Sequence, residues 1–192
     1  TGGTYLREPG RDPVWITRSH APAVFRKDVN DWRKRKFVEV KPDALARLEV
    51  SYAEGDGFTA EKKDGAWTLT RPSPLPKNFR FDPGAVDGLA NRLIGLSAQE
   101  FADPLKDAAS WGLDAPRAQV AIGTTDGGEL KVKFGGKPED EKVPVQIDGQ
   151  EQVYLVAKWA ANGVLKRLED LRDLSLLSFD SAKVERLAVT AG

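Results

Sequence analysis

The sequence repeats itself at a constant offset of 139 positions, because residues 14–51 align without a gap on residues 153–190. Eight of the 38 aligned positions are identical, and most of the others keep apolar residues opposite apolar residues. Self-similarity at a fixed spacing is typical of proteins built from repeated structural units, and it favours a modular scaffold over an enzyme. The clearest matches are Val14-Trp15-Ile16 with Val153-Tyr154-Leu155, Asp31-Trp32-Arg33 with Asp170-Leu171-Arg172, and Arg47-Leu48-Glu49-Val50 with Arg186-Leu187-Ala188-Val189.

The composition is that of a globular protein with no global field. The chain has 192 residues with 40% apolar content, and its 29 basic and 29 acidic residues cancel. Nothing in this balance favours nucleic acid or an anionic membrane as a partner. The absence of cysteine excludes disulfides, thiolate metal sites and cysteine nucleophiles. No apolar run reaches the length of about 18 residues that a transmembrane span needs, so we expect any membrane anchor to lie outside these residues.

Hairpin signals and two helix starts predict the fold class. Asp-Gly and glycine-rich turns separate pairs of β-rich segments, and Asp82-Pro83 and Asp103-Pro104 each give an N-cap aspartate followed by proline. We therefore predict an α+β fold, with antiparallel hairpins and sheets, two central helices, and duplicated terminal segments. Residues 1–13 read as a loose lead-in, and Trp159 to Leu168 as a single helix. The predicted strands are 14–17, 47–52, 58–62, 66–70, 119–123, 129–134, 143–147 and 152–156.

Residues that could carry chemistry do not assemble into a catalytic or metal-binding motif. His20 is the only histidine, and no serine has the context of a nucleophile elbow. Gly135-Gly136-Lys137 lacks the upstream glycine spacing of a phosphate-binding loop. The run Glu139-Asp140-Glu141 lacks the spacing of a calcium loop and reads as solvated. We predict no catalytic residues, no metal site and no cofactor.

The five tryptophans supply the weak candidates for ligand contact. Trp15 and Trp32 align with Tyr154 and Leu171, which predicts core positions in the repeated unit. Trp67 lies in mid-strand and Trp111 at a helix end, both natural core places. Trp159 and Trp111 are the two candidate ligand-binding residues. If exposed, their rings could stack on a sugar or fill a partner's pocket, and packing in the core is the alternative.

Several segments together resemble a bacterial family known as domain of unknown function 4340. The Trp-Gly-Leu-Asp-Ala-Pro element is similar to the family's aromatic-Gly-Leu-Asp-x-Pro turn, and the resemblance covers residues 32–170 as one full unit. In the first copy, a run of four basic residues replaces the family's Arg-Asp step. The segments that carry the resemblance are Glu61–Leu69, Trp111–Pro116, Val153–Val156, Leu171–Asp173, Leu176–Asp180 and Val184–Leu187.

The resemblance implies a unit arrangement and a cellular setting. Residues 1–31 would be the end of a preceding unit, 32–170 one complete unit, and 171–192 the start of a following unit. Members often occur as tandem copies behind a membrane anchor and near ABC-type exporters similar to those of gliding-motility systems, and no catalytic residues are established for the family. We therefore expect a non-enzymatic, periplasmic or extracytoplasmic scaffold with a protein partner in the cell envelope, whose hairpin edges pair by strand addition. The alternative is a module that binds a glycan or another envelope ligand.

Overall fold

The protein is built on antiparallel β-structure. The computed structural model describes residues 3–17, 27–102, 108–137, 141–175, 183, 185, 186 and 188. Within them, β1 (Thr4–Arg7) and β2 (Val14–Thr17) form a separate hairpin, and eight further strands form one sheet. Those strands are β3 (Leu45–Tyr52), β4 (Phe58–Lys63), β5 (Ala66–Arg71), β6 (Glu100–Phe101), β7 (Ala118–Thr124), β8 (Glu129–Phe134), β9 (Lys142–Ile147) and β10 (Val153–Ala157).

The large sheet joins two meanders side by side. Its strand order is β5-β4-β3-β7-β8-β9-β10-β6, and every neighbouring pair is antiparallel. Strands that follow one another along the chain are neighbours within each meander, and the β3–β7 pairing joins the two. The two-residue strand β6 returns to the far edge, beside β10. Both edges of β8 are therefore occupied, by β7 and by β9.

The two faces of the sheet differ because side chains alternate along each strand. On β3, Leu48 and Val50 are buried in the main core, while Arg47 and Glu49 lie on the other face. Arg47 also lies opposite Glu61 of β4, with Nε 3.6 Å from Oε1. The register of β3 is therefore fixed by an apolar face that must be covered and a charged face that can remain in water.

Helices cover the apolar face of the sheet. Asp82 caps α2 (Pro83–Ile94) by accepting a hydrogen bond from the Gly84 N–H at 2.9 Å. The predicted apolar stripe of this helix is buried, and α2 packs against β5 and α3 (Lys158–Val164). The remaining helical elements are α1 (Val29–Trp32) and three one-turn 3-10 helices at Pro42–Ala44, Ala108–Trp111 and Leu168–Leu171.

The α+β prediction is confirmed, and so is the first central helix. The second predicted helix begins in residues 103–107, outside the described residues, and its described end is the 3-10 helix Ala108–Trp111. The lead-in prediction for residues 1–13 is wrong, because β1 lies within it. The single helix predicted from Trp159 to Leu168 is also wrong. Leu165 leaves the helical conformation at the C-cap of α3, which allows a separate turn to bury Leu168 and Leu171.

Candidate functional site

A groove of about 510 Å³ lies between the C-terminal end of α2, the first turns of α3 and residues 95–99. Trp159 lines it and is 78% exposed. The prediction that this ring packs in the core is therefore wrong, and the exposed alternative is the one observed. Trp159 follows β10 directly as the second residue of α3, on the helix face opposite the buried Ala161 and Val164. The groove wall thus carries an aromatic ring on a helix that is anchored by its other face.

Two arginines give the groove a basic rim. Arg35 donates hydrogen bonds to the carbonyl oxygens of Ala98 and Gln99, which holds its guanidinium beside the groove. Arg92 reaches the groove from the last turn of α2. The close approach of the two helices depends on Gly163, where an added Cβ would lie 3.3 Å from Arg92 Cδ. The arrangement suits a ligand with one flat apolar face and one acidic or polar edge.

Trp111, the second candidate, is half-buried and mainly supports the fold. Its ring packs against a small cluster of Ala102, Leu113 and Val153, on the other side of the sheet from the main core. Its carbonyl oxygen accepts a hydrogen bond from the Gly136 N–H at 2.9 Å. The glycines that resemble part of a phosphate-binding loop instead allow this close backbone approach. The structure does not bring Trp111 and Trp159 into one groove, since they line different ones.

The hairpin β1–β2 repeats the hairpin β9–β10 in register. Thr4 lies opposite Thr17 and Arg7 lies opposite Val14. Adding the offset of 139 to each of these four numbers gives pairs that are also observed between β9 and β10. Those pairs are Val143 opposite Val156 and Gln146 opposite Val153.

The turns of the two hairpins also correspond. Gly10 has φ +81° and its counterpart Gly149 has φ +79°, a left-handed conformation that glycine adopts readily. The Arg11 N–H donates to the Glu8 carbonyl at 3.1 Å, and the equivalent bond from Gln150 to Ile147 measures 3.0 Å. The duplication therefore extends upstream of residue 14, to β1.

A one-turn helix follows at the same offset in both copies. Helix α1 spans Val29–Trp32 and the last 3-10 helix spans Leu168–Leu171. In α1, Asp31 Oδ2 accepts a hydrogen bond from the Asp28 N–H at 3.0 Å. In the second copy, the identical aspartate, Asp170, accepts one from the Arg167 N–H at 2.8 Å. The two copies of residues 14–51 and 153–190 thus agree at the strand and at this turn. Residues 19–25 and most of 181–190 lie outside the described residues, so the remaining elements, including Leu187, are not compared.

The two copies differ in burial. We call β1, β2 and α1 the N-terminal half-unit, and we call β9, β10 and Leu168–Leu171 the closing elements. Trp32 is 67% exposed, whereas its counterpart Leu171 is 1% exposed. The prediction that Trp15 and Trp32 are buried is therefore wrong. The large apolar residues of the half-unit that are exposed while the corresponding positions of the closing elements are buried or half-buried are Tyr5, Leu6, Val14, Trp15, Ile16, Val29 and Trp32.

Ionisable groups with shifted pKa values belong to turns and ion pairs. A hydrogen bond from Lys133 and its positive charge lower the pKa of Asp148. A hydrogen bond from Thr124 lowers the pKa of Asp126 in the β7–β8 turn. No group of three or more histidine, cysteine, aspartate or glutamate residues within the described ranges is placed to hold a metal ion. Among the same residues, no helix combines the length and apolar composition needed to cross a membrane. His20 and Glu139-Asp140 lie outside the described residues.

The fold and the repeat together define an α+β protein assembled from duplicated units. The sequence matches the family described as Domain of unknown function (DUF4340) over residues 1–76 and again over residues 67–192, and the chain belongs to this family. Two matches that together span the chain agree with segments arranged in tandem. No match was found among curated proteins or among solved structures.

Proposed function

We propose that this chain is a non-enzymatic scaffold or interaction module of a membrane transport or cell-surface assembly, acting on the extracytoplasmic side. It would be held at the membrane by a segment outside these residues. Residues 32–170 would be one complete unit, with parts of neighbouring units at 1–31 and 171–192. The observation that carries the proposal is the N-terminal half-unit, whose apolar side chains lie exposed on a hairpin that repeats a buried one.

The surface chemistry supports association over turnover. Exposed large apolar side chains that share one small element are a common mark of protein interaction sites. Tryptophan and tyrosine contribute disproportionately to such interfaces, because they bury a large area at little cost in side-chain entropy. The half-unit carries Tyr5, Trp15 and Trp32, all exposed.

Site-specific photo-crosslinking in cells tests this function. A photoreactive residue replaces Ile16 or Trp32, and the matched control replaces Lys63, an exposed residue at the end of β4. We expect a covalent adduct to a protein of the membrane fraction at positions 16 and 32, and none at position 63. Adduct yields at 16 and 32 no higher than at 63 would contradict the interaction module. Protease treatment of intact and lysed cells checks the compartment, since an extracytoplasmic chain is cut before lysis once the outer layer is opened.

The second candidate is binding of a glycan or another envelope ligand in the Trp159 groove. The exposed Trp159 ring beside Arg35 and Arg92 favours it, because a flat aromatic surface stacks on sugar rings and a guanidinium binds acidic groups. We expect cell-wall fragments to change the tryptophan fluorescence of the wild-type chain and of Trp32→Phe, but not of Trp159→Phe. An equal response in both variants would rule this groove out.

A further inference from the structure

We propose that the N-terminal half-unit docks onto the core of another unit of this same fold, in the position that the closing elements hold in the complete unit. This inference rests on the proposed function and names the partner: a unit with a free β8-type strand edge and an uncovered helix face. The closing elements show what such a partner looks like, because they are the same structure with its cover in place.

The partner first supplies a strand. In the complete unit, β9 pairs with β8, and Val145 lies opposite Phe134. The residue that corresponds to Val145 is Leu6 of β1, and within the described residues β1 pairs only with β2. The outer edge of β1 therefore matches an edge that takes a β8-type strand, and strand addition satisfies the backbone groups of both.

The partner also supplies aromatic and helical cover. Tyr154 of β10 stacks on Phe37, with ring centroids 4.1 Å apart and planes inclined by 11°. Trp15 is the counterpart of Tyr154, so the partner would present a Phe37-type ring to it. In the complete unit, α2 packs against the turn Leu168–Leu171. A helix of the α2 type would likewise cover Val29 and Trp32.

A second copy of this chain as it stands does not offer that site. Its β8 already has β7 on one edge and β9 on the other. The half-unit also differs from the closing elements in one way that weakens docking, since Thr4 and Thr17 replace the buried Val143 and Val156. A unit that lies before the half-unit on the same polypeptide meets both conditions, because covalent linkage supplies a high effective concentration.

An extended chain tests the docking directly. Residues 32–141 are placed before Gly3, which preserves the offset because position 142 corresponds to position 3. The added segment then contains every element from α2 to β8 but has no β9 or β10 of its own. The chain has no cysteine, so Leu6→Cys provides a single thiol whose labelling rate reports the exposure of the half-unit. Lys63→Cys in the original copy is the matched control.

We expect Leu6→Cys to react at least about tenfold more slowly in the extended chain than in the chain alone, with no change for Lys63→Cys, because a docked site reacts only through local opening. Trp15→Asp should make the added residues 32–141 sensitive to protease in the extended chain while leaving the original unit resistant. Equal thiol rates in the two chains, or an added segment that is digested without the Trp15 substitution, would overturn the proposal. So would a Leu6→Cys rate that falls with protein concentration in the unextended chain, since a second copy would then cover the face. Crosslinking at Ile16 together with failure of the extended chain would leave the proposed function standing and reject only the same-fold partner.

Discussion

Equivalent apolar positions in the two copies should contribute very differently to stability. Leu168 and Val29 occupy the same place at the start of the duplicated one-turn helices, and they are 8% and 77% exposed. Leu168→Ala removes three carbons from the core, worth about 2–2.5 kcal/mol at roughly 0.8 kcal/mol each, and the residual cavity brings the loss to about 3 kcal/mol. Val29→Ala removes carbons that already contact water, so its cost should stay within about 0.5 kcal/mol.

Urea unfolding followed by far-ultraviolet circular dichroism measures the difference. With a slope of about 2 kcal/mol per molar urea, Leu168→Ala should lower the unfolding midpoint by about 1.5 M, and Val29→Ala should leave it unchanged. Leu171→Ala and Trp32→Ala form a second matched pair with the same expected contrast, at 1% and 67% exposure. Comparable midpoint losses in the two members of a pair would refute the reasoning, because they would mean that the N-terminal half-unit is packed in solution.

Two further predictions concern the complete unit. Burial raises the pKa of Tyr52, whose hydroxyl donates to the Lys166 carbonyl at 2.9 Å; this stabilisation is complete below the unfolded pKa of about 10 and is lost as the pH rises through the raised folded value. Tyr52→Phe should cost about 0.5–1.5 kcal/mol at pH 8 and flatten the loss of stability above about pH 10, and an unchanged alkaline slope in urea midpoints would contradict this. Gly57→Ala should destabilise by about 1–3 kcal/mol, because its Cβ would overlap the Val50 carbonyl oxygen. Gly88→Ala, in mid-α2 with only the end of a flexible arginine within 4 Å, should stabilise by about 0.5–1 kcal/mol, and thermal melts that fail to give opposite signs would reject the packing argument.

The candidate site was only partly predictable. The offset of 139 led to Trp15 and Trp32, and carrying the same offset upstream to Gly10 and Gly149 would also have revealed β1. Their exposure could not be read from the sequence, because an aligned apolar residue indicates a core position in the unit and does not say whether a cover is present. Trp159 gave the opposite error, since an aromatic residue at helical spacing usually packs inward.

Local chemistry in the sequence determined most of the secondary structure. Glycine turns, the Asp82-Pro83 helix start and alternating apolar residues act over a few neighbouring positions, and they fixed the hairpins, α2 and the duplication. Only the tertiary structure decided the strand order, the break after α3 that buries Leu168, and the contrast between an exposed half-unit and its buried copy. These depend on contacts between residues far apart in the chain, where the same local pattern is buried or exposed according to what packs against it.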